Sequence, residues 1–384
     1  MADQSYLNWP FFEDRHRAWA ARVRAVAKTL PAGHPDDVDH ICRDLVTRLG
    51  QAGLLEVTGG AARELDLRRI CLAREILAYH QGLADFSFAM QGLGMGAVSL
   101  FGSDAHREWL TKTRQGTAIA GFALTEPQSG SDVANSTMTA QADGDHYVLD
   151  GEKTWISNGG IADIYTVFAR TGEAPGAKGL SAFLVPAETP GVAVAERLDV
   201  IAPHPLARLR FDRVQVPKAA RIGAPGDGFH IAMSVLDMFR SSVAAAALGF
   251  ARRALDESLG RVAVREIGGT KMFDLQMVQG HLADMALEID AAALLTYRAA
   301  WTKDRGAARI TREAAMAKLH ATEAAQRVID TAVQLHGGDG VRSGTWPEQL
   351  YREIRALRIY EGASDVQKIV IARQTMANHE RNMT

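Results

Sequence analysis

Three short stretches carry residue types that could do chemistry. The first is Phe122-Ala123-Leu124-Thr125-Glu126-Pro127-Gln128-Ser129-Gly130-Ser131-Asp132. Short apolar residues of the kind that pack in a strand lead into a loop that breaks at Pro127. Pro and Gly fix the turn, while Thr, Ser and free backbone N–H groups line it with donors. Such a loop suits a flat heteroaromatic ligand with a polar edge and a phosphate tail. Further along, Trp155-Ile156-Ser157-Asn158-Gly159-Gly160 offers an indole face and another hydroxyl. The third stretch is Ile359-Tyr360-Glu361-Gly362-Ala363-Ser364-Asp365-Val366-Gln367-Lys368, near the C-terminus. Glu361 is one of 45 acidic residues, and alone it would read as a solvated side chain. Its neighbours set an aromatic wall beside a flexible backbone. A carboxylate against such a surface can have a raised pKa and act as a base toward a weak carbon acid.

These residues need three kinds of scaffold. Residues 1–116 are rich in Ala, Leu, Arg and Glu, with apolar positions at helical spacing such as Ile70, Ala73, Leu77 and Leu83. Pro31, Pro35, Gly50 and Gly59-Gly60 punctuate them into several helices. Residues 117–224 read as strands. Asp143-Gly144 signals a hairpin, Asp150-Gly151 the next turn, and runs at Ile164–Ala169, Leu180–Val185, Val192–Val194 and Leu206–Val216 follow. Closely spaced strands without intervening helices argue for an antiparallel barrel or sandwich. Residues 225–384 are helical again. Apolar stripes run along Leu248, Ala251, Leu255, Leu259 and Val262, along Val278, Leu282, Met285, Ile289 and Ala292, and along Leu319, Thr322, Ala325, Ile329 and Val333. Gly337-Gly338 stops the last, and the many alanines allow the close helix approach of a bundle. The expected architecture is α+β and multidomain: N-terminal helices, a central antiparallel β-barrel or sandwich, and a C-terminal four-helix bundle.

Bulk properties exclude several functions. With 47% hydrophobic and 23% charged residues and a formal net charge of -2, the chain reads as globular, without the basic patch of a nucleic-acid or anionic-membrane binder. The apolar stretch Val243 to Gly249 is too short to span a bilayer, and MADQSYLNWPFF lacks the pattern of a secretory signal. Cys42 and Cys71 read as reduced, helix-packed thiols, and the expected location is cytoplasmic. Gly92-Leu93-Gly94-Met95-Gly96 does not open a βαβ unit, so it reads as a flexible or closely packed stretch between helices. Gly172 to Lys178 lacks Walker spacing, and Ser131 lacks the nucleophile elbow. The twelve histidines form no HxxxH or HExxH pattern and there is no CxxC, so no metal is expected.

In combination, these motifs and this order of zones resemble the acyl-CoA dehydrogenase family. The resemblance implies an FAD-dependent α,β-dehydrogenation of an acyl-CoA thioester to the trans-2-enoyl-CoA. Glu361 aligns with the glutamate of a Tyr-Glu-Gly-Thr-Ser-type segment and would remove the α-proton, with the β-hydrogen leaving as hydride to flavin N5. Tyr360 and Gly362 would flank the substrate. For the cofactor, the resemblance implies contacts from Phe122, Leu124, Thr125, Gly130 and Ser131, with Thr125 on the pyrimidine edge and Ser131 near both FAD and thioester. Trp155 would cover the flavin and Ser157 would bond near N5. Asp237 and Arg240 would line the CoA and acyl wall, against the plainer reading of an i,i+3 surface ion pair. Arg265 and Gln276 would reach the FAD of a neighbouring subunit, and Gln334, Gly337 and Gly338 would close its adenosine end. Ala363 and Asp365 complete the cofactor set.

Two positions depart from the family pattern. Gly268 stands where Phe is usual, and Ala363 replaces a frequent Thr. The implied partners are an acyl-CoA, an electron-transfer flavoprotein and further copies of the chain in a homotetramer. The alternative is a flavoenzyme of the same fold that takes a carrier-protein-tethered acyl group or uses oxygen as acceptor. A glutamate at the base position counts against nitro-compound oxidation.

Overall fold

Helix starts follow from local capping chemistry. The computed structural model describes residues 3–30, 37–60 and 65–383; Pro31 and Pro35 lie outside them. Helix α1 (Asp14–Ala27) opens on a reciprocal box between Glu13 and His16. Asp37 accepts from the His40 N–H to start α2 (Val38–Gln51), and Asp66 does the same for Arg69 at α3 (Leu67–His80). Helices α4 (Gly82–Phe101) and α5 (Arg107–Arg114) follow. Cys42 and Cys71 are buried free thiols on α2 and α3.

The strands are β1 (Ala120–Ala123), β2 (Thr139–Asp143), β3 (His146–Ser157), β4 (Ile164–Arg170), β5 (Leu180–Pro186), β6 (Val192–Arg197), β7 (Leu206–Pro217) and β8 (Arg221–Ile222). They form one eight-stranded sheet in the order β6-β7-β3-β2-β4-β5-β8, with β1 added beside β4. Most pairs are antiparallel, but β1 runs parallel to β4, as does β2 at Thr139↔Arg170. Nearly every residue of β4 and β5 is buried, so these strands read as continuous apolar runs. The hairpin expected near Asp143-Gly144 is present, with Gly144 at φ 53. Asp150-Gly151 is not a turn: β3 continues through it with a register shift between Leu149 and Gly151. Gly151 takes φ 143, and a Cβ there would lie 2.9 Å from that of Met138, so the glycine serves a bulge.

The remaining helices are α6 (Gly228–Val264), α7 (Gln276–Asp304), α8 (Thr311–His336), α9 (Trp346–Leu357) and α10 (Ser364–Met383), with a two-stranded hairpin, β9 (Glu266–Ile267) and β10 (Thr270–Lys271), between α6 and α7. The stripe expected on α7 is buried throughout. On α6 the packed face instead runs through Ala251, Ala254, Ser258 and Val262, leaving Leu259 42% exposed. Helix α6 is long and apolar enough to cross a membrane, yet 89% of its most apolar window is buried inside the protein, as for a core helix. Gly249 lets α6 approach α3, since a Cβ there would strike the Glu75 carbonyl and lie 2.9 Å from Ala78 Cβ.

Contacts divide the chain into two units. One is drawn from Met1–His34, Asp66–Asp85 and Asp237–Thr384, the other from Pro35–Leu65 and Phe86–Leu236. The N-terminal helices are thus shared between the two rather than forming a body of their own. In the second unit the glycines of 92–96 lie inside α4, not between helices. A Cβ on Gly94 would come within 2.6 Å of Ala120 Cβ, and its carbonyl accepts from Thr166 Oγ1 at 2.7 Å.

Candidate active site

The acidic segment belongs to the first unit. Between α9 and α10 the chain turns through Glu361 at φ 53 and Gly362 at φ 96. A left-handed glutamate is unfavourable unless its surroundings enforce it. Here buried donors do so. Arg240 Nε donates to the Glu361 carbonyl at 3.1 Å, and Lys318 Nζ and Gln367 Nε2 each donate to the Gly362 carbonyl at 2.9 Å. Ser364 Oγ and Arg358 Nε donate to Glu323, at 2.5 and 2.9 Å, closing the turn from its far side.

The Glu361 side chain is held differently from its backbone. Oε2 is shut off from solvent and has no hydrogen-bond partner among the described residues. Burial raises the carboxyl's pKa, opposed first by Arg74, then by Arg240 and Lys318, and reinforced by Asp85. Burial likewise lowers the Lys318 ammonium to about 8, against the pull of Glu361. Burial also pushes the neighbouring Tyr360 hydroxyl well up, so it stays protonated. The arrangement yields a carboxylate with enhanced proton affinity and an uncommitted oxygen, the property a base toward a carbon acid needs.

Asp237 and Arg240 form the i,i+3 pair at 3.3 Å, but it is buried rather than on the surface. Asp237 also accepts from Arg309 Nε and Thr311 Oγ1, each at 2.7 Å. Arg240 thus joins Asp237, through Nη1, to the Glu361 backbone, through Nε.

The loop after β1 belongs to the second unit. Glu126 and Ser129 exchange backbone hydrogen bonds at 3.1 Å across Pro127-Gln128. The Glu126 carboxylate is buried and accepts from Thr137 N at 2.6 Å, Met138 N at 3.1 Å and Lys153 Nζ at 2.8 Å. Lys153 is wholly buried and also donates to the Leu124 carbonyl at 3.0 Å. Thr154 N donates to the Thr125 carbonyl at 2.9 Å, so loop and β3 are joined at successive residues. Immediately after, Trp155 takes φ 58 at a register shift in β3 and stands 57% exposed. Asn158, at φ 60, is buried and donates to the Ala120 carbonyl at 2.9 Å. Thr125, Ser157 and Phe122 are half-buried, Leu124 is buried, and Gly130 and Ser131 are exposed. The structure therefore gathers the expected loop and indole segments onto one sheet region.

The third group lies in the first unit. Arg265 is exposed beyond α6, and its carbonyl accepts from Met272 N at 2.7 Å. The hairpin that follows turns at Gly268 (φ 61) and Gly269 (φ 82), a geometry that favours glycine and accounts for Gly268 where an aromatic residue was expected. Gln276 is exposed at the start of α7, and Gln334, Gly337 and Gly338 are exposed at the end of α8. Arg261 ties that end to α6 through Asp339 at 3.1 Å. Ala363 is half-buried and Asp365 exposed at the start of α10. Sequence reasoning gave no role to Glu126, Lys153, Arg74, Asp85, Lys318 or Gln367. Only the Lys153 position, inside an otherwise apolar strand face, carried a readable signal.

Residues 226–376 match the description of the acyl-CoA dehydrogenase C-terminal domain, and residues 121–214 that of the acyl-CoA dehydrogenase middle domain. The chain belongs to the acyl-CoA dehydrogenase family. As an acyl-CoA dehydrogenase it is an oxidoreductase. It is 41% identical over 338 residues to the human mitochondrial short-chain specific acyl-CoA dehydrogenase, covering 85% of this chain and 81% of that one. Its fold is similar to that of butyryl-CoA dehydrogenase from Megasphaera elsdenii, with a TM-score of 0.87 and 29% identity over 95% of this chain and 99% of that one. The glutaryl-CoA dehydrogenase of Mycobacterium smegmatis in complex with FADH2 gives a TM-score of 0.87 and 27% identity, over 96% of each chain.

Proposed function

We propose that this acyl-CoA dehydrogenase uses FAD to convert a short saturated acyl-CoA to its trans-2-enoyl-CoA, with Glu361 as the base. The observation that carries the reading is the Glu361 carboxyl, with raised proton affinity and an unpartnered Oε2, on a backbone clamped by Arg240, Lys318 and Gln367. The preference for a short acyl group rests on the likeness to the short-chain relatives.

The residues present fit FAD. An exposed indole follows Thr154, which bonds the Thr125 backbone, and precedes Ser157 by two residues, and Gly130 has open space where a Cβ would be. Thr125, Ser131, Trp155 and Ser157 would hold the ring side, and Arg265, Gln276, Gln334, Gly337 and Gly338 the pyrophosphate and adenosine of a neighbouring copy. Bound FAD supplies the acceptor for the hydrogen that leaves the substrate's β-carbon. The protein's own part is proton chemistry and positioning. Glu361 takes the α-proton at its carboxylate, and the dry surroundings of Oε2 keep water from competing for it. We further propose an electron-transfer flavoprotein as the oxidant of the reduced enzyme and a homotetramer as the working assembly.

The test is anaerobic titration of the purified protein with acyl-CoAs of increasing chain length, followed by visible absorbance. The expected result is a yellow protein bleached most completely by short straight chains. A colourless protein that cannot be reconstituted with FAD overturns the reading.

A further inference from the structure

We propose that the buried Arg74–Asp85 ion pair, tied to α6 through Ser242, is a positioning unit that sets the electrostatic surroundings in which Glu361 works. The inference rests on Glu361 being the base.

Arg74 on α3 and Asp85 on α4 are 2% and 4% exposed. Arg74 Nε donates to Asp85 Oδ1 at 2.8 Å and Nη2 to Oδ2 at 2.9 Å, a two-point fork that fixes the guanidinium plane. Nη1 donates to Ser242 Oγ at 3.0 Å, and that hydroxyl donates onward to the Phe239 carbonyl at 2.8 Å. Ser242 lies two residues beyond Arg240 on α6, and Arg240 holds the Glu361 carbonyl. The pair is thus anchored on α6 two residues from Arg240, the side chain that holds the turn carrying the base.

Stability alone does not explain such a pair. Desolvating two charges offsets most of their attraction, and apolar residues of similar volume usually serve as well. Charged groups from four helices bear on Glu361: Arg74 from α3, Asp85 from α4, Arg240 from α6 and Lys318 from α8. Burial, and more weakly Glu361 in turn, raises the proton affinity of the neighbouring Tyr360 hydroxyl. Among the charges Arg74 is foremost and favours the carboxylate, while Asp85 opposes it more weakly. Toward Glu361 the pair therefore behaves as a partly neutralised cation. It keeps a buried carboxyl ionised without drawing it into a direct salt bridge that would occupy its proton-accepting oxygen.

The test is an infrared titration of the holoenzyme that follows the Glu361 carboxyl band, identified by its absence in Glu361→Gln. In Asp85→Asn the cation is no longer offset, and Glu361 should titrate at lower pH than in the native protein. In Arg74→Met/Asp85→Leu the stronger influence is lost, and Glu361 should titrate at higher pH. Arg74→Lys keeps a cation and should fall between native and double variant. The acid limb of kcat should move in the same senses. A native titration in the folded variants, or shifts of one sign in Asp85→Asn and the double variant, overturns the proposal. If the double variant does not fold, Asp85→Asn and Arg74→Lys decide. Native turnover by Glu361→Gln would overturn the base assignment instead, and the band titration would still report whether the pair acts on Glu361.

Discussion

Lys318 Nζ donates to the carbonyl oxygen of Gly362 at 2.9 Å, one residue past Glu361. A buried ammonium that serves a backbone carbonyl rather than a carboxylate marks a place where backbone geometry is what must be held. Lys318→Met removes this donor and leaves Gln367 to hold the carbonyl. Loss of a donor to a buried acceptor costs about 1–3 kcal/mol, and misplacing a catalytic group can lower kcat by up to about 10²-fold. Linkage gives a sign. The unfolded lysine keeps its proton to about 10.5, whereas the folded one releases it near about 8. Between those values the unfolded state binds more protons, so native stability relative to Lys318→Met should rise with pH. Urea unfolding of both proteins across this window checks it.

Glu361 gives the opposite slope. Its folded proton affinity is raised by burial, so the contribution of its protonated form is complete below pH 4.5, the ordinary value. That contribution is lost as pH rises through the folded value, where the native state must ionise a buried carboxyl. Glu361→Gln has no such group. Its stability relative to native should therefore increase with pH, and at neutral pH it should melt higher. Calorimetric melts of the two proteins at acid and neutral pH measure this, and a lower melting temperature for Glu361→Gln at neutral pH would contradict it.

Lys153 and Glu126 form a second buried pair, at 2.8 Å. Lys153→Met leaves the Glu126 carboxylate without its cation and should cost about 3–5 kcal/mol. Adding Glu126→Gln removes the stranded charge and should restore part of that loss. Denaturant midpoints of the single and double variants give the coupling. Equal midpoints would mean that the pair contributes nothing.

Trp155 separates a structural from a ligand-facing role. An indole 57% exposed contributes little to folding, and Trp155→Ala should change stability by no more than about 0.5 kcal/mol. If the indole covers the flavin, the same variant should retain less FAD after gel filtration. Unchanged retention would assign Trp155 to the surface alone.

Much of this was legible in the sequence because it rests on local chemistry. The α7 stripe of Val278, Leu282, Met285 and Ile289 is buried as its spacing required, and the hairpin after Asp143 follows from its glycine. Asp150-Gly151 misleads because a glycine at positive φ serves a turn and a bulge equally. What could not be read depends on distant partners. Arg74 meets Ser242 across 168 positions, and Lys153 meets Glu126 across 27. A charged residue inside a helix or strand pattern gives no sign of which opposite charge will neutralise it. The loop and base segments were recognisable, but the residues that clamp them became visible only through tertiary contacts.

The most direct measurement is rapid anaerobic mixing of FAD-loaded native protein and Glu361→Gln with the acyl-CoA that bleaches the native enzyme best. Glu361→Gln should keep the yellow colour and bind the thioester, yet bleach slower by about 10²–10⁴-fold or more, the usual worth of a general base. Bleaching at the native rate would show that another group takes the α-proton.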